Sequence, residues 1–152
     1  MAKIIISDSN CLPILSEIGG LEVLQKLFGQ VFTTPEIARK FNGKLPNWVV
    51  IEIVTDEMRQ RILEIKLAKE ESSALALALE NPGCTLVLEK PNAIIIAQKF
   101  SFRFIGILEI IISAKLNGII PSIKPLLENI KSTNYKISKE LELFALKEVN
   151  EL

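Results

Sequence analysis

The most informative stretch of the sequence is residues 4–10, Ile4-Ile5-Ile6-Ser7-Asp8-Ser9-Asn10. The three isoleucines form a β-branched apolar run, which predicts a buried strand. Ser9 and Asn10 favour turns and helix N-caps, so we expect the chain to turn directly into a helix. Asp8 is thereby placed at the carboxyl end of the first strand, where ligands bind in open α/β sheets. Aspartate also caps helices, so a purely structural role for Asp8 is the alternative.

The rest of the chain alternates predicted strands with predicted helices. We expect further strands at residues 31–33, 48–54, 85–88 and 103–105. We expect helices at residues 10–18, 21–28, 34–41, 56–67, 70–79, 93–99, 106–117, 121–131 and 138–149. This alternation is typical of a three-layer α/β/α sandwich with a mostly parallel central sheet. The length of 152 residues suits one domain, 1–152, with residues 121–152 as a C-terminal helical extension packed on it.

Composition excludes several classes of function. The chain has no histidine and only two cysteines, so it lacks the commonest general base and the pairs of ligands typical of structural zinc. Its formal net charge is +0, which argues against a strong nonspecific nucleic-acid binder. No apolar run reaches the ~18 residues of a membrane span, so we expect no membrane association and a cytoplasmic location. The hydrophobic content of 49% favours a buried sheet, an oligomer interface, or both.

Three acidic residues occupy comparable positions in the predicted fold. Asp8 follows the first strand, Glu89 follows the strand at 85–88, and Glu71 lies in the first turn of the helix before that strand. A parallel sheet could bring all three to one end, where a divalent cation would relieve their repulsion. Magnesium prefers such oxygen ligands and supports phosphodiester hydrolysis. Individually, however, Glu71 could simply complement the helix dipole and Glu89 could be a solvated loop residue.

At this point the chain resembles the PIN-domain (PilT N-terminus-like) family, in particular a prokaryotic branch of uncharacterised PIN-like proteins and toxin components. The resemblance covers nearly the whole chain. It is carried by the following stretches: Ile6-Ser7-Asp8-Ser9-Asn10, Phe32-Thr33-Thr34-Pro35-Glu36-Ile37, residues 71–80, Leu86-Val87-Leu88-Glu89, residues 114–122, residues 124–127 and residues 135–138.

The resemblance implies a metal-dependent ribonuclease. The expected cofactor is Mg²⁺ or Mn²⁺, the expected substrate is single-stranded RNA, and the expected partners are a small antitoxin protein and a second copy in a homodimer. Asp8 and Glu71 match the family's metal-binding acids, and Glu89 stands at the strand end that carries acidic residues. Ser9 and Asn10 match the polar positions that support the first acid.

The chain also departs from the family pattern. Lys40 stands where the helix after Pro35 normally carries an acid, and Glu89-Lys90 replaces a pair of aspartates. Gly106-Ile107 replaces a Gly-Thr step, and Glu70 replaces a glycine. Lys40 and Lys90 are therefore candidates to replace the metal or to bind phosphate.

Three functional hypotheses follow. The first is a metal-dependent endoribonuclease, in the role of a toxin, with Asp8, Glu71 and Glu89 as catalytic and metal-binding residues. The alternative is a catalytically inactive PIN fold that binds nucleic acid or protein. A doubly wound domain with an unrelated small-molecule role comes last, because the chain has no glycine-rich phosphate loop.

Overall fold

In the computed structural model, which describes residues 3–152, short strands alternate with helices along the chain. The strands are β1 (Ile4–Ile6), β2 (Val31–Thr33), β3 (Val49–Ile51), β4 (Thr85–Val87) and β5 (Arg103–Ile105). The helices are α1 (Cys11–Glu17), α2 (Leu21–Phe28), α3 (Pro35–Ala38), α4 (Glu57–Leu63), α5 (Lys69–Leu79), α6 (Pro91–Lys99), α7 (Ile107–Leu116), α8 (Lys124–Ile130) and α9 (Lys139–Glu148).

One five-stranded sheet with the order β3-β2-β1-β4-β5 forms the centre of the fold. All of its strand pairs are parallel, which confirms the predicted fold class and shows that the sheet is wholly rather than mostly parallel. In the central pair, Ile5 of β1 lies opposite Leu86 of β4. The carboxyl ends of β1 and β4 therefore lie side by side, which brings the loops at residues 7–10 and 88–90 together.

Helix α5 owes its close contact with the sheet to its alternating alanines and leucines. Residues 71–78 are all buried, and Ala74, Ala76 and Ala78 are fully buried. Small side chains let the helix axis approach the strands, while Leu75 and Leu77 fill the remaining space. This packing also carries Glu71, in the first turn of α5, beneath the carboxyl end of β1.

The C-terminal helices α8 and α9 pack on α1 and α7, and Leu127, Ile130 and Ala145 join the buried core. Helix α8 starts at Lys124, later than the predicted residue 121, because Pro125 suits the first turn of a helix. Helix α4 ends at Leu63 and continues only as a turn, although the sequence predicted a helix to residue 67. Within residues 3–152, no helix is both long and apolar enough to cross a membrane.

Candidate functional site at the carboxyl end of the sheet

Asp8 is a buried carboxylate that accepts three backbone hydrogen bonds. Its side chain lies just after β1, and the residue is 1% exposed. Oδ1 accepts the N–H of Asn10 at 2.9 Å, and Oδ2 accepts the N–H groups of Glu89 and Lys90, each at 3.0 Å. These bonds satisfy a charge that would otherwise be costly to bury. Asp8 thus links the loop after β1 to the loop after β4. Asn10 supports the Asp8 carboxylate through its backbone N–H.

Glu71 reaches the same region from α5 and is also 1% exposed. Its Oε2 accepts the N–H of Ser9 at 3.1 Å and lies 3.1 Å from Nζ of Lys90. The other oxygen, Oε1, is buried and has no hydrogen-bond partner among residues 3–152. Buried oxygens normally have partners, so Oε1 is an unfilled acceptor at this point of the site.

The ammonium of Lys90 lies between α5 and the loop after β1. Nζ donates to Oγ of Ser9 at 3.0 Å and forms the ion pair with Glu71. The Lys90 side chain is 38% exposed, so the ammonium also reaches solvent. Lys90 and Pro91 line both of two neighbouring cavities, one of about 260 Å³ that contains Glu71 and one of about 240 Å³ that contains Asp8 and Glu89. The lysine therefore stands between the predicted metal-binding acids.

Glu89 points away from Glu71, towards the start of α7. Its Oε1 accepts the N–H of Ile107 at 2.8 Å, at the positive end of that helix. Burial raises the pKa of Glu89 above its ordinary value, although the hydrogen bond from Ile107 and the nearby hydroxyl of Tyr135 oppose the shift. The nearby charge of Asp8 adds to the increase. Glu89 thus acts as a contact between the loop after β4, α7 and the segment that carries Tyr135.

Tyr135 lies over the cavity that contains Asp8 and Glu89, together with Asn134 and Lys136. Burial, followed by the negative charge of Glu89, raises the pKa of Tyr135 far above its ordinary value, so its hydroxyl stays protonated. Tyr135 was not among the residues that the sequence predicted for the site. The position of residues 135–138 in the family resemblance was the only signal for it, because no local pattern links this segment to β4.

Lys40 lies apart from Asp8, Glu71 and Glu89. Its Nζ pairs with Oε1 of Glu70 at 3.3 Å, and its side chain is 56% exposed. It lines a separate cavity of about 240 Å³ with Arg39, Lys69 and Glu70. Of the two predicted lysines, therefore, only Lys90 contacts a predicted site acid. Lys90 also contacts Asp8, but through its backbone N–H and not through its ammonium.

A buried hydroxyl group on α5 contacts a buried hydroxyl group at the start of α3. Oγ1 of Thr34 and Oγ of Ser73 are 2.6 Å apart, and both residues are fully buried. Thr34 also caps α3 by accepting the N–H of Ile37. Neither residue was predicted to belong to the site, and their contacts are those of a helix cap and a packed core.

The hydrogen-bond and ion-pair partners of Asp8, Glu71 and Glu89 determine whether these side chains can hold a divalent cation. Among residues 3–152, no three Asp, Glu or Cys side chains lie close enough together to hold a metal ion. Asp8 is engaged by three N–H groups, Glu89 by Ile107, and one oxygen of Glu71 by an ammonium. As arranged, the donor set does not fit Mg²⁺ or Mn²⁺, although Oε1 of Glu71 is free to accept a cation. The metal-binding roles of Asp8, Glu71 and Glu89 stay predictions.

The fold and this site define a parallel α/β sandwich with a polar cleft at the carboxyl ends of β1 and β4. A family model described as a PIN domain matches residues 4–151, which is nearly the entire chain. The chain therefore belongs to the PIN-domain family, and the predicted family is confirmed. A search of curated proteins and a search of solved structures each found no match.

Proposed function

We propose that this chain is a PIN-domain protein that binds single-stranded nucleic acid in a cleft where Lys90 takes the place of a divalent metal. The observation that carries the proposal is the position of Nζ of Lys90, 3.1 Å from Oε2 of Glu71 and 3.0 Å from Oγ of Ser9. An ammonium at that point neutralises Glu71 and competes electrostatically with a metal ion.

The lining of the cleft supports a phosphate-bearing ligand. Lys66 and Lys90 line the cavity that contains Glu71, and Lys90 and Lys136 line the cavity that contains Asp8. Partly exposed ammonium groups bind phosphate by charge, without sequence preference. Tyr135 lines the second cavity and adds an aromatic surface of the kind on which unpaired bases stack.

The second candidate is the metal-dependent ribonuclease, and one observation favours it. Oε1 of Glu71 is buried without a partner, and a cation could satisfy it. Under this candidate the exposed Lys90 side chain would swing out when metal and RNA enter. The toxin role, the antitoxin and the homodimer would belong to this candidate, and they stay predictions.

The experiment that separates the two candidates combines three readouts on one set of proteins. Fluorescence anisotropy measures binding of a labelled single-stranded RNA in EDTA, calorimetry measures Mn²⁺ binding, and gel electrophoresis measures RNA cleavage. The proteins are wild type, Lys90→Ala, Lys90→Asp and the control Lys26→Ala, which removes an exposed lysine on α2.

If the protein has the proposed function, we expect wild type to bind RNA in EDTA and not to cleave it when Mn²⁺ is added. Lys90→Ala weakens binding and lowers the slope of log affinity against log salt by about 0.7, the value for one phosphate contact on a single strand. Lys90→Asp gains Mn²⁺ binding, while Lys26→Ala behaves as wild type. Cleavage by wild type that requires Mn²⁺ would overturn the proposal in favour of the ribonuclease.

A further inference from the structure

An exposed apolar groove lies between α4 and α6, on a different part of the surface from the cavity that contains Asp8. It has a volume of about 270 Å³, and its lining is almost wholly apolar. The lining residues are Ile62, Leu63, Ile65, Lys66, Ile96, Lys99 and Phe100. Single exposed apolar side chains are ordinary, but a contiguous apolar groove on a protein surface marks an interaction site.

Helix α4 and the turn after it present one exposed apolar stripe, of which Ile62 and Ile65 line this groove. Met58, Ile62 and the following Ile65 are spaced by four and three residues and are 57%, 59% and 79% exposed. This spacing places them on one face of the helix and of the turn that continues it. Phe100, which is 47% exposed, closes the opposite side. A stripe of this kind matches the apolar face of an incoming amphipathic helix.

The charges at the edge of the groove limit which kind of partner it can bind. The two charged residues in the lining are Lys66 and Lys99, and within residues 3–152 neither has an acidic group within ion-pair distance. Glu57 of α4 and Glu64, which immediately follows that helix, line a different cavity together with Gln60 and Arg61. The edge of the groove is therefore positive and complements carboxylates.

We infer that this groove docks an amphipathic helix of another protein, whose apolar stripe is flanked by aspartate or glutamate. Two-fold pairing of the groove with a second copy would set the lysine-edged surfaces against each other, and like charges disfavour that arrangement. The carboxylates of an acidic partner would instead pair with Lys66 and Lys99 while its leucine-type side chains fill the cavity.

The position of the groove gives such a partner access to the candidate site. Lys66 lines both the groove and the cavity that contains Glu71 and Lys90. The inference does not depend on the proposed function, because the lining of the groove contains none of the predicted site acids.

Designed peptides test the inference directly. A labelled helical peptide of about 15 residues carries leucines at positions i, i+4 and i+7 with glutamates on both sides of the stripe. A matched peptide keeps the leucines and replaces the glutamates by lysines. Fluorescence anisotropy measures both against wild type, Ile65→Glu, Lys99→Glu and the control Leu116→Glu. Leu116 is 64% exposed and lies on α7, so its substitution adds the same charge elsewhere on the surface.

We expect the acidic peptide to bind wild type at least about tenfold more tightly than the lysine peptide, which corresponds to about 1.4 kcal/mol. Ile65→Glu should abolish binding, Lys99→Glu should weaken it, and Leu116→Glu should leave it unchanged. Equal binding of the two peptides, or no effect of Ile65→Glu, would overturn the inference. Light scattering that shows a wild-type dimer lost in Ile65→Glu would also overturn it, because the occupant would then be a second copy.

Discussion

The carboxylate of Glu89 occupies the space that a Cβ atom on Gly106 would need. Gly106 immediately precedes α7, and the N–H of the next residue, Ile107, donates to Oε1 of Glu89 at 2.8 Å. The glycine is therefore required for a close approach of two segments and not for an unusual backbone angle, since its φ is −109°. The loop after β4 and the start of α7 hold each other in place through this contact.

Gly106→Ala should destabilise the protein by about 0.5–1.5 kcal/mol, the usual contribution of one hydrogen bond, because the carboxylate of Glu89 has to move. The added methyl group would push Glu89 away from Ile107 and break its hydrogen bond. Urea unfolding followed by circular dichroism measures the change. Gly20→Ala is the matched control, because a Cβ there meets its nearest neighbours at 3.6 Å, an ordinary contact. A combined Glu89→Ala and Gly106→Ala variant that costs as much as the two single changes added together would contradict this explanation.

Asp8→Asn should destabilise the protein by about 2–3 kcal/mol, because the carboxylate that accepts three backbone hydrogen bonds loses its charge and one acceptor atom. Thermal and urea unfolding measure the loss. Asp56→Asn is the matched control, because Asp56 caps α4 and asparagine caps a helix about as well. Equal stability of the two variants would show that the buried bonds of Asp8 contribute little. Tests of metal binding that use Asp8→Asn must therefore include its stability.

The raised pKa of Glu89 predicts a stability that falls with increasing pH. Burial is the main cause, so the folded protein retains a proton on Glu89 where the unfolded chain has already lost it. Stability contributed by Glu89 then decreases as pH rises from the ordinary glutamate value through the raised folded value. Glu89→Gln should remove this dependence. Urea unfolding at a series of pH values measures the difference between wild type and variant, and a difference independent of pH would contradict the prediction.

Glu151 should show the opposite dependence in the same series. Burial alone would raise its pKa, but the hydroxyl of Ser122, the N–H of Ile123 and the ammonium of Lys115 together lower it. Its stabilising contribution is present above the ordinary glutamate pKa and is lost as pH falls through the lowered folded value. Glu151→Gln should therefore destabilise the protein near neutral pH and have progressively less effect in acid. An effect that grows in acid would contradict the assignment.

Local patterns in the sequence predicted most of the elements. Helix α2 and strand β2 have the predicted bounds, because each has a complete apolar period bounded by turn residues. The helix predicted to residue 67 ends early, since propensity alone does not show where α4 must turn to pack on α5. The sequence also predicted Lys90 near the site acids, because Glu89-Lys90 replaces a pair of aspartates in the family pattern.

The contacts within the site could not be predicted in the same way. Lys90 and Ser9 are separated by 81 residues, and Glu71 and Ser9 by 62 residues. Periodicity places each residue on an element but does not choose which oxygen receives which donor. Glu89 appeared equivalent to Asp8 in sequence, yet in the structure it binds the start of α7. That outcome depends on the missing side chain of Gly106, which no local pattern relates to Glu89.

The hydrogen bonds that span 81 and 82 residues, from Glu89 and Lys90 to Asp8, also set an order for folding. Contacts this distant along the chain form only after the intervening segment has been brought together, and closing such a loop is slow. During synthesis β1 leaves the ribosome long before β4, so Asp8 has neither of these partners until residues 85–90 are made. The cleft therefore cannot assemble on the nascent chain until more than half of the protein has been made.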